Sequence, residues 1–276
     1  MLLLLLTLLL PAVFSQNCSY TFGNQRYTRS SVLTIKGLPT NLVFNPTTKD
    51  LLFTLIDLDT LQNDDVQTKM DQYILRNGVP IKVDNINGQA AAVDEKNGKV
   101  YIASDDGLYA LDDTDHANFV SFKDEDIVQL FKPNHTDEIY AVTFPDNEVY
   151  LIDVHNNVKR KVDHVPCAFI LAVDYDDNIF YECDSKYVKM LLKGFEEPVE
   201  FVGIAKNSAR AITTDEESRA ILATNDGLYH LRSDNMIPVK LMDLDFVPSG
   251  LVFNKYDFYV STNGVIFKYS SDECDN

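Results

Sequence analysis

The chain of 276 residues has no tryptophan, only four cysteines and five histidines, and just 24 Lys and Arg against 42 Asp and Glu. Each scarcity excludes something. Without tryptophan, a flat aromatic ligand would have to stack on the 16 Phe and 14 Tyr, most of which core packing claims. A formal net charge of −18 removes the basic surface that nucleic acid or an anionic membrane selects. The acidic residues are spread among turns (Asp57, Asp59, Asp64, Asp65, Asp112, Asp113, Asp115), where they serve solubility first. His116, His135, His155, His164 and His230 occur singly, with no pair at metal-ligand spacing, so no histidine metal site is expected. The chain also lacks Cys-x-x-Cys, Gly-x-Ser-x-Gly, His-Glu-x-x-His, a Gly-rich phosphate loop and a dinucleotide fingerprint. Neither a cofactor nor catalysis is therefore expected. Asp174-Tyr175-Asp176-Asp177-Asn178 begins like a calcium loop, but Ile179 replaces the sixth-position glycine and Ser185 the twelfth-position acid, so a hairpin turn explains it better.

What the chain does contain is a repeat. Ser104-Asp105-Asp106-Gly107-Leu108-Tyr109-Ala110-Leu111 returns as Thr224-Asn225-Asp226-Gly227-Leu228-Tyr229-His230-Leu231. Apolar strand starts recur at Leu42, Ala91, Leu130, Leu171, Ala211 and Leu251, each leading through a polar turn into a second apolar run. Short alternating segments broken by Asn-Gly and Asp-Gly are what antiparallel hairpins require, and helical spacing is nowhere sustained. Six copies of roughly 40 residues predict an all-β chain folded as one six-bladed β-propeller over residues 16–276, each blade having four short antiparallel strands.

Residues 1–15 read as a signal peptide: Leu2 to Leu10 is nearly unbroken leucine, and Pro11-Ala12-Val13-Phe14-Ser15 supplies the break and the small residues that cleavage needs. A secreted protein without a membrane partner is expected. Cys18, Cys167, Cys183 and Cys274 fit an oxidising compartment. Three connectivities are open, and the favoured one is Cys18–Cys274 with Cys167–Cys183. The first would staple the ends of a ring, worth on the order of 4–5 kcal/mol in the chain-entropy model. Asn17 and Asn134 head glycosylation sequons, Asn134 in a turn expected on the outer surface.

In a propeller the binding site lies on the axis, where the blades converge. The inner-strand starts offer Asn41, Ala90, Ile170, Arg210 and Gly250, and an arginine among apolar and small residues suits an anionic organic ligand better than a divalent cation.

Gly88-Gln89-Ala90-Ala91-Ala92-Val93-Asp94, Val100-Tyr101-Ile102-Ala103-Ser104-Asp105-Asp106-Gly107-Leu108-Tyr109 and the closing Asn263-Gly264-Val265-Ile266-Phe267-Lys268 resemble the ommochrome-binding proteins of insect haemolymph. The resemblance implies a secreted, monomeric, non-catalytic carrier of a small aromatic anionic pigment of the ommatin D or xanthommatin kind. Such a ligand needs flat walls, amide donors and a cation. The candidate binding residues are Asn41, Gln89, Gln129 and Ser249 as hydrogen-bonding groups, Phe169 as a stacking surface and Arg210 as carboxylate partner. Two alternatives stand beside the carrier. A calcium-dependent lactonase of the gluconolactonase type predicts carboxylate and amide oxygens converging on the axis, and a protein-interaction propeller predicts a filled channel.

Overall fold

The computed structural model of the protein describes residues 18–61, 68–184, 187–272 and 274. The expected signal peptide, the Asn17 sequon, Asp64, Asp65 and Ser185 lie outside the described residues.

An amino-terminal hairpin, β1 (Tyr20–Phe22) and β2 (Gln25–Thr34), precedes the first blade. That blade is β3 (Leu38–Asn45), β4 (Asp50–Ile56), β5 (Met70–Arg76) and β6 (Val79–Lys82), with a single turn of helix, α1 (Leu58–Leu61), between its second and third strands. The second blade holds β7 (Gly88–Asp94), β8 (Lys99–Ser104), β9 (Gly107–Leu111) and β10 (Ala117–Ser121). The third holds β11 (Ile127–Phe131), β12 (Ile139–Thr143), β13 (Glu148–Asp153) and β14 (Val158–Lys161). The fourth holds β15 (Ile170–Val173), β16 (Ile179–Glu182), β17 (Val188–Leu191) and β18 (Val199–Glu200). The fifth holds β19 (Ala209–Thr214), β20 (Ala220–Thr224), β21 (Gly227–Arg232) and β22 (Asn235–Asp243). The last begins with β23 (Gly250–Asn254), β24 (Asp257–Thr262) and β25 (Val265–Ser270), and takes its outer strands from the start of the chain. The six sheets make the expected all-β propeller.

Ring closure rests on that borrowed strand. β2 pairs antiparallel with β25 from Thr28 opposite Ser270 to Thr34 opposite Val265. Cys18–Cys274 and Cys167–Cys183 are the two disulfides, as favoured from the sequence, and the first fastens the closing strand's flank to the carboxyl-terminal end. Arg29 of β2 makes a bidentate pair with Asp245 (2.5 and 3.1 Å) and lies over the rings of Tyr20 and Phe267 at 4.6 and 4.9 Å. The closing blade therefore has a sheet ladder, a covalent clasp and a cation held among aromatic faces.

Six buried clusters fill the junctions between successive blades. One joins the last blade to the first through Leu33, Val252 and Ile266 against Leu42, Phe44 and Phe53, with Phe44 stacked on Tyr259 at 5.8 Å. Because a blade is covered on both faces, its second strand is not half-polar. Leu51, Leu52, Phe53 and Leu55 of β4 are all buried, as are Ile179, Phe180 and Tyr181 of β16. The apolar–polar alternation expected of every strand survives mainly in the outer strands, such as β22, which face solvent.

The repeated Asp-Gly motif also has a different meaning from a glycine-centred turn. The two-residue loops are Asp105-Asp106 and Asn225-Asp226, closed by Ser104 opposite Gly107 and Thr224 opposite Gly227. The glycine instead makes room for the outer strand. A Cβ on Gly227 would stand 2.3 Å from the Met242 carbonyl, and one on Gly107 2.9 Å from that of Phe122.

The clasp closes a separation of 256 residues and the other disulfide one of 16. In the chain-entropy model, replacing both Cys18 and Cys274 by serine should cost about 5–6 kcal/mol, and replacing Cys167 and Cys183 about 3 kcal/mol. Urea unfolding of the two double variants measures the order; an equal or reversed loss would show that the ring is not held by its clasp.

Candidate functional site: the axial cavity

The innermost strands β3, β7, β11, β15, β19 and β23 surround a cavity of about 280 Å³ on the propeller axis. We call the end where these strands begin the upper mouth and the end where they finish the lower mouth. Side chains lace neighbouring strands at both ends. At the upper end Asn41 Nδ2 donates to the Gln89 carbonyl (2.7 Å) and Thr40 Oγ1 to the Ser249 carbonyl (2.8 Å). At the lower end Asn45 Nδ2 donates to the Gly98 carbonyl (2.8 Å). Small side chains at Ala91, Ala92 and Ala211 leave the middle of the axis open.

Four inner strands carry a bulge near their start, between Thr40 and Val43, Gly88 and Ala90, Ile127 and Gln129, and Ala209 and Ala211. A bulge leaves one residue out of the ladder and re-aims its side chain. Asn41, with φ 48°, takes the left-handed conformation that asparagine tolerates, and Arg210 occupies the bulge of the fifth blade. Both reach the cavity, Arg210 with its Nε donating to Asn225 Oδ1 at 2.7 Å.

Of the six residues expected to bind, the structure brings Asn41, Gln129 and Arg210 to the cavity wall. Gln89, Phe169 and Ser249 are not part of that wall. Gln89 is buried, its amide donating to Asp126 (2.5 Å) and its carbonyl accepting from Asn41 and Thr54. Ser249 donates to the Pro39 carbonyl (2.5 Å) and meets the Ser261 hydroxyl (3.0 Å). These two residues brace one blade against the next. Phe169 is 43% exposed on the loop before β15. The aromatic walls are Phe44, Phe131 and Phe253. Their signal is in the sequence as the tetrapeptide Leu-Val-Phe-Asn, present both at Leu42–Asn45 and at Leu251–Asn254.

The register exposes a residue that motif reasoning missed. At the upper end of the blades the second strands present Thr54 opposite Thr40, and Ser104, Thr143, Thr224 and Ser261 opposite the first paired residues of their inner strands, but Glu182 opposite Ile170 in the fourth blade. Glu182 is 7% exposed, pairs with the wall residue Ile170 and accepts the Phe169 N–H through its carbonyl (2.8 Å). Five hydroxyls and one buried carboxylate at the same station single out the upper end of the fourth blade.

The lower mouth is more highly charged. Glu95, Lys132, Asn134, Asp215 and Glu216 all reach the cavity. Partial desolvation by the surrounding walls, with Glu216 nearby, raises the Glu95 pKa although the Asn134 amide beside its carboxylate acts the other way. Burial lowers that of Lys132, whose ammonium donates to the Thr136 carbonyl (2.7 Å) and lies 3.8 Å from Asp94. Asp215 is committed to Arg219 at 2.7 Å. Asn134, expected on the outer surface of the ring, is exposed but stands on the cavity rim, because the turn after β11 folds over the axis.

Among the described residues, neither mouth brings three carboxylates close enough together to hold a divalent cation. Among the described residues the one close group of three His, Cys, Asp or Glu ligand atoms is Cys167, Cys183 and Asp184, whose cysteines are bonded to each other. Arg210 puts positive charge at the upper mouth and Lys132 at the lower. The Asp174 carboxylate is used within its own turn, accepting from the Asp176 and Asn178 N–H groups at 3.0 and 2.9 Å.

No family model matches the chain, and no curated protein matches it. Solved structures do. A gluconolactonase from Xanthomonas campestris superposes with a TM-score of 0.66 at 10% identity, covering 90% of both chains. The calcium-binding protein regucalcin from Agrobacterium tumefaciens gives 0.64 at 13% identity over 89% of this chain and 94% of that one. A luciferin-regenerating enzyme gives 0.60 at 10% identity over 88% and 95%. At such identities the likeness is one of fold. It nevertheless overturns the expectation of a chain without catalysis, since the matched propellers include enzymes by name, and nothing in these comparisons points to the ommochrome-binding proteins.

A raised carboxylate pKa fixes a sign. The folded state binds the Glu95 proton more tightly than the unfolded chain, so the associated stability is present in acid and is lost as pH rises through the folded pKa. Glu95→Gln should therefore raise the Tm at pH 7, with the gain shrinking toward pH 4. A Tm difference independent of pH would contradict it.

Proposed function

We propose that the chain is a small-molecule hydrolase of the lactonase kind, acting at the upper mouth of the axial cavity. The observation that carries this reading is that Asn41, Gln129 and Arg210, from the first, third and fifth blades, all reach an axial cavity of about 280 Å³ from around its upper mouth. Its volume is at the small end of the usual range for ligand sites, roughly 300–1,000 Å³. A single-ring substrate fits that scale better than a fused tricyclic pigment with amino-acid arms, and the open axis argues against a filled, protein-binding channel.

In this reading Arg210 faces the substrate carbonyl and stabilises the negative charge that develops on its oxygen. Asn41 and Gln129 orient ring hydroxyls. A water molecule attacks the carbonyl carbon, the ring C–O bond breaks, and the proton released by the water passes to the leaving alkoxide. No step is routed through a metal ion, because the residues at the mouth do not fit one. The disulfides support placing the activity outside the cell.

The test is hydrolysis of five- and six-membered aldonolactones followed by acid release. Saturable turnover is expected, unaffected by chelator, with Arg210→Ala lowering kcat/KM by about 10²-fold. Lactones decaying at their uncatalysed rate in the presence of the wild-type protein would refute the reading.

A further inference from the structure

Asn134-His135-Thr136 is an acceptor sequence for N-linked glycan whose asparagine stands at the lower mouth of the cavity. Its side chain is exposed in a turn beside Glu95, which with Glu216 and Lys132 forms the charged rim. We propose that Asn134 carries an N-linked glycan and that this glycan closes the lower mouth, leaving the Arg210 end as the way into the cavity.

The geometry argues for closure rather than for decoration of a remote surface. Glycan attaches through asparagine Nδ2, which has two hydrogens, so the linkage leaves one N–H able to donate to the Glu95 carboxylate. That hydrogen bond would hold the first sugar against the rim instead of letting it swing into solvent. The turn itself is fastened from below. Lys132 Nζ donates to the Thr136 carbonyl (2.7 Å), and His135 Nε2 meets Asp177 Oδ1 (2.7 Å) in the next blade. A sugar on a turn anchored at these two points has its position fixed relative to the axis. The rim then acquires bulk from a group that the polypeptide does not encode directly, and a channel with two ends becomes a cavity with one.

The proposal is independent of the hydrolase reading, and its test does not measure turnover. Protein secreted from a glycosylating host is mapped by peptide mass at Asn134. Glu95 is then labelled with a water-soluble carbodiimide and a small amine, with Glu200 on outer strand β18 as an exposed control. Thr136→Ala removes the acceptor sequence while leaving Asn134, its place beside Glu95 and the main-chain carbonyl of residue 136 unchanged. An enzymatically trimmed wild-type sample serves the same purpose should that variant fold poorly. Occupied Asn134 is expected, with Glu95 labelled several-fold more slowly in the glycoprotein than in Thr136→Ala or trimmed protein and Glu200 labelled equally in all. An unoccupied Asn134, or Glu95 labelling indifferent to the glycan, would overturn the proposal.

Discussion

Everything in this molecule depends on closing the ring between its first and last blades. Each of the other junctions is made by neighbours in sequence, but Leu33, Val252 and Ile266 can meet Leu42, Phe44 and Phe53 only once the two ends of the chain have come together. Long loop closure is entropically costly before any contact rewards it. The structure offsets that cost by concentrating interactions on β2, which donates a full ladder to β25, carries Arg29 into an aromatic nest and leads back to the Cys18–Cys274 clasp. The cavity is a consequence: six innermost strands held at fixed radius cannot collapse onto the axis, and alanines at Ala91, Ala92 and Ala211 do not fill it.

The two mouths have opposite characters for reasons that trace to strand polarity. At the upper mouth, bulges free Asn41 and Arg210 from the ladder, producing amide donors and an exposed guanidinium among apolar neighbours such as Ile170 and Leu42. At the lower mouth the chain enters its first hairpin turns, where acidic and amide residues are needed for turn geometry, and Glu95, Glu216 and Asn134 gather beside Lys132. Donors suited to an oxygen-rich small molecule thus collect at one end, and groups that bind each other collect at the other.

Much of the fold was legible because a repeat reports its own period. The six inner-strand starts, the paired cysteines and the Asp-Gly hairpins could all be read from recurring residues, and the recurring Leu-Val-Phe-Asn even marks two aromatic walls of the cavity. The site was only half legible. A bulge shifts register by one residue without changing the apolar pattern, so Gln89 and Ser249 looked equivalent to Asn41 although they brace blades rather than line the cavity. Glu182 escaped because its distinction is relational: it is an ordinary glutamate until five hydroxyls are seen at the same station in the other blades. Asn134 was visible as a sequon, but its position over the axis depends on how the turn after β11 folds.

The central claim is that the upper mouth of the axial cavity is a small-molecule site organised by Arg210. A crystal structure of the protein soaked with an aldonic acid, the product of lactone hydrolysis, tests it most directly. The account predicts the carboxylate within hydrogen-bonding distance of Arg210, with its hydroxyls toward Asn41 and Gln129. An empty cavity at saturating ligand, or a ligand bound away from Arg210, would contradict it.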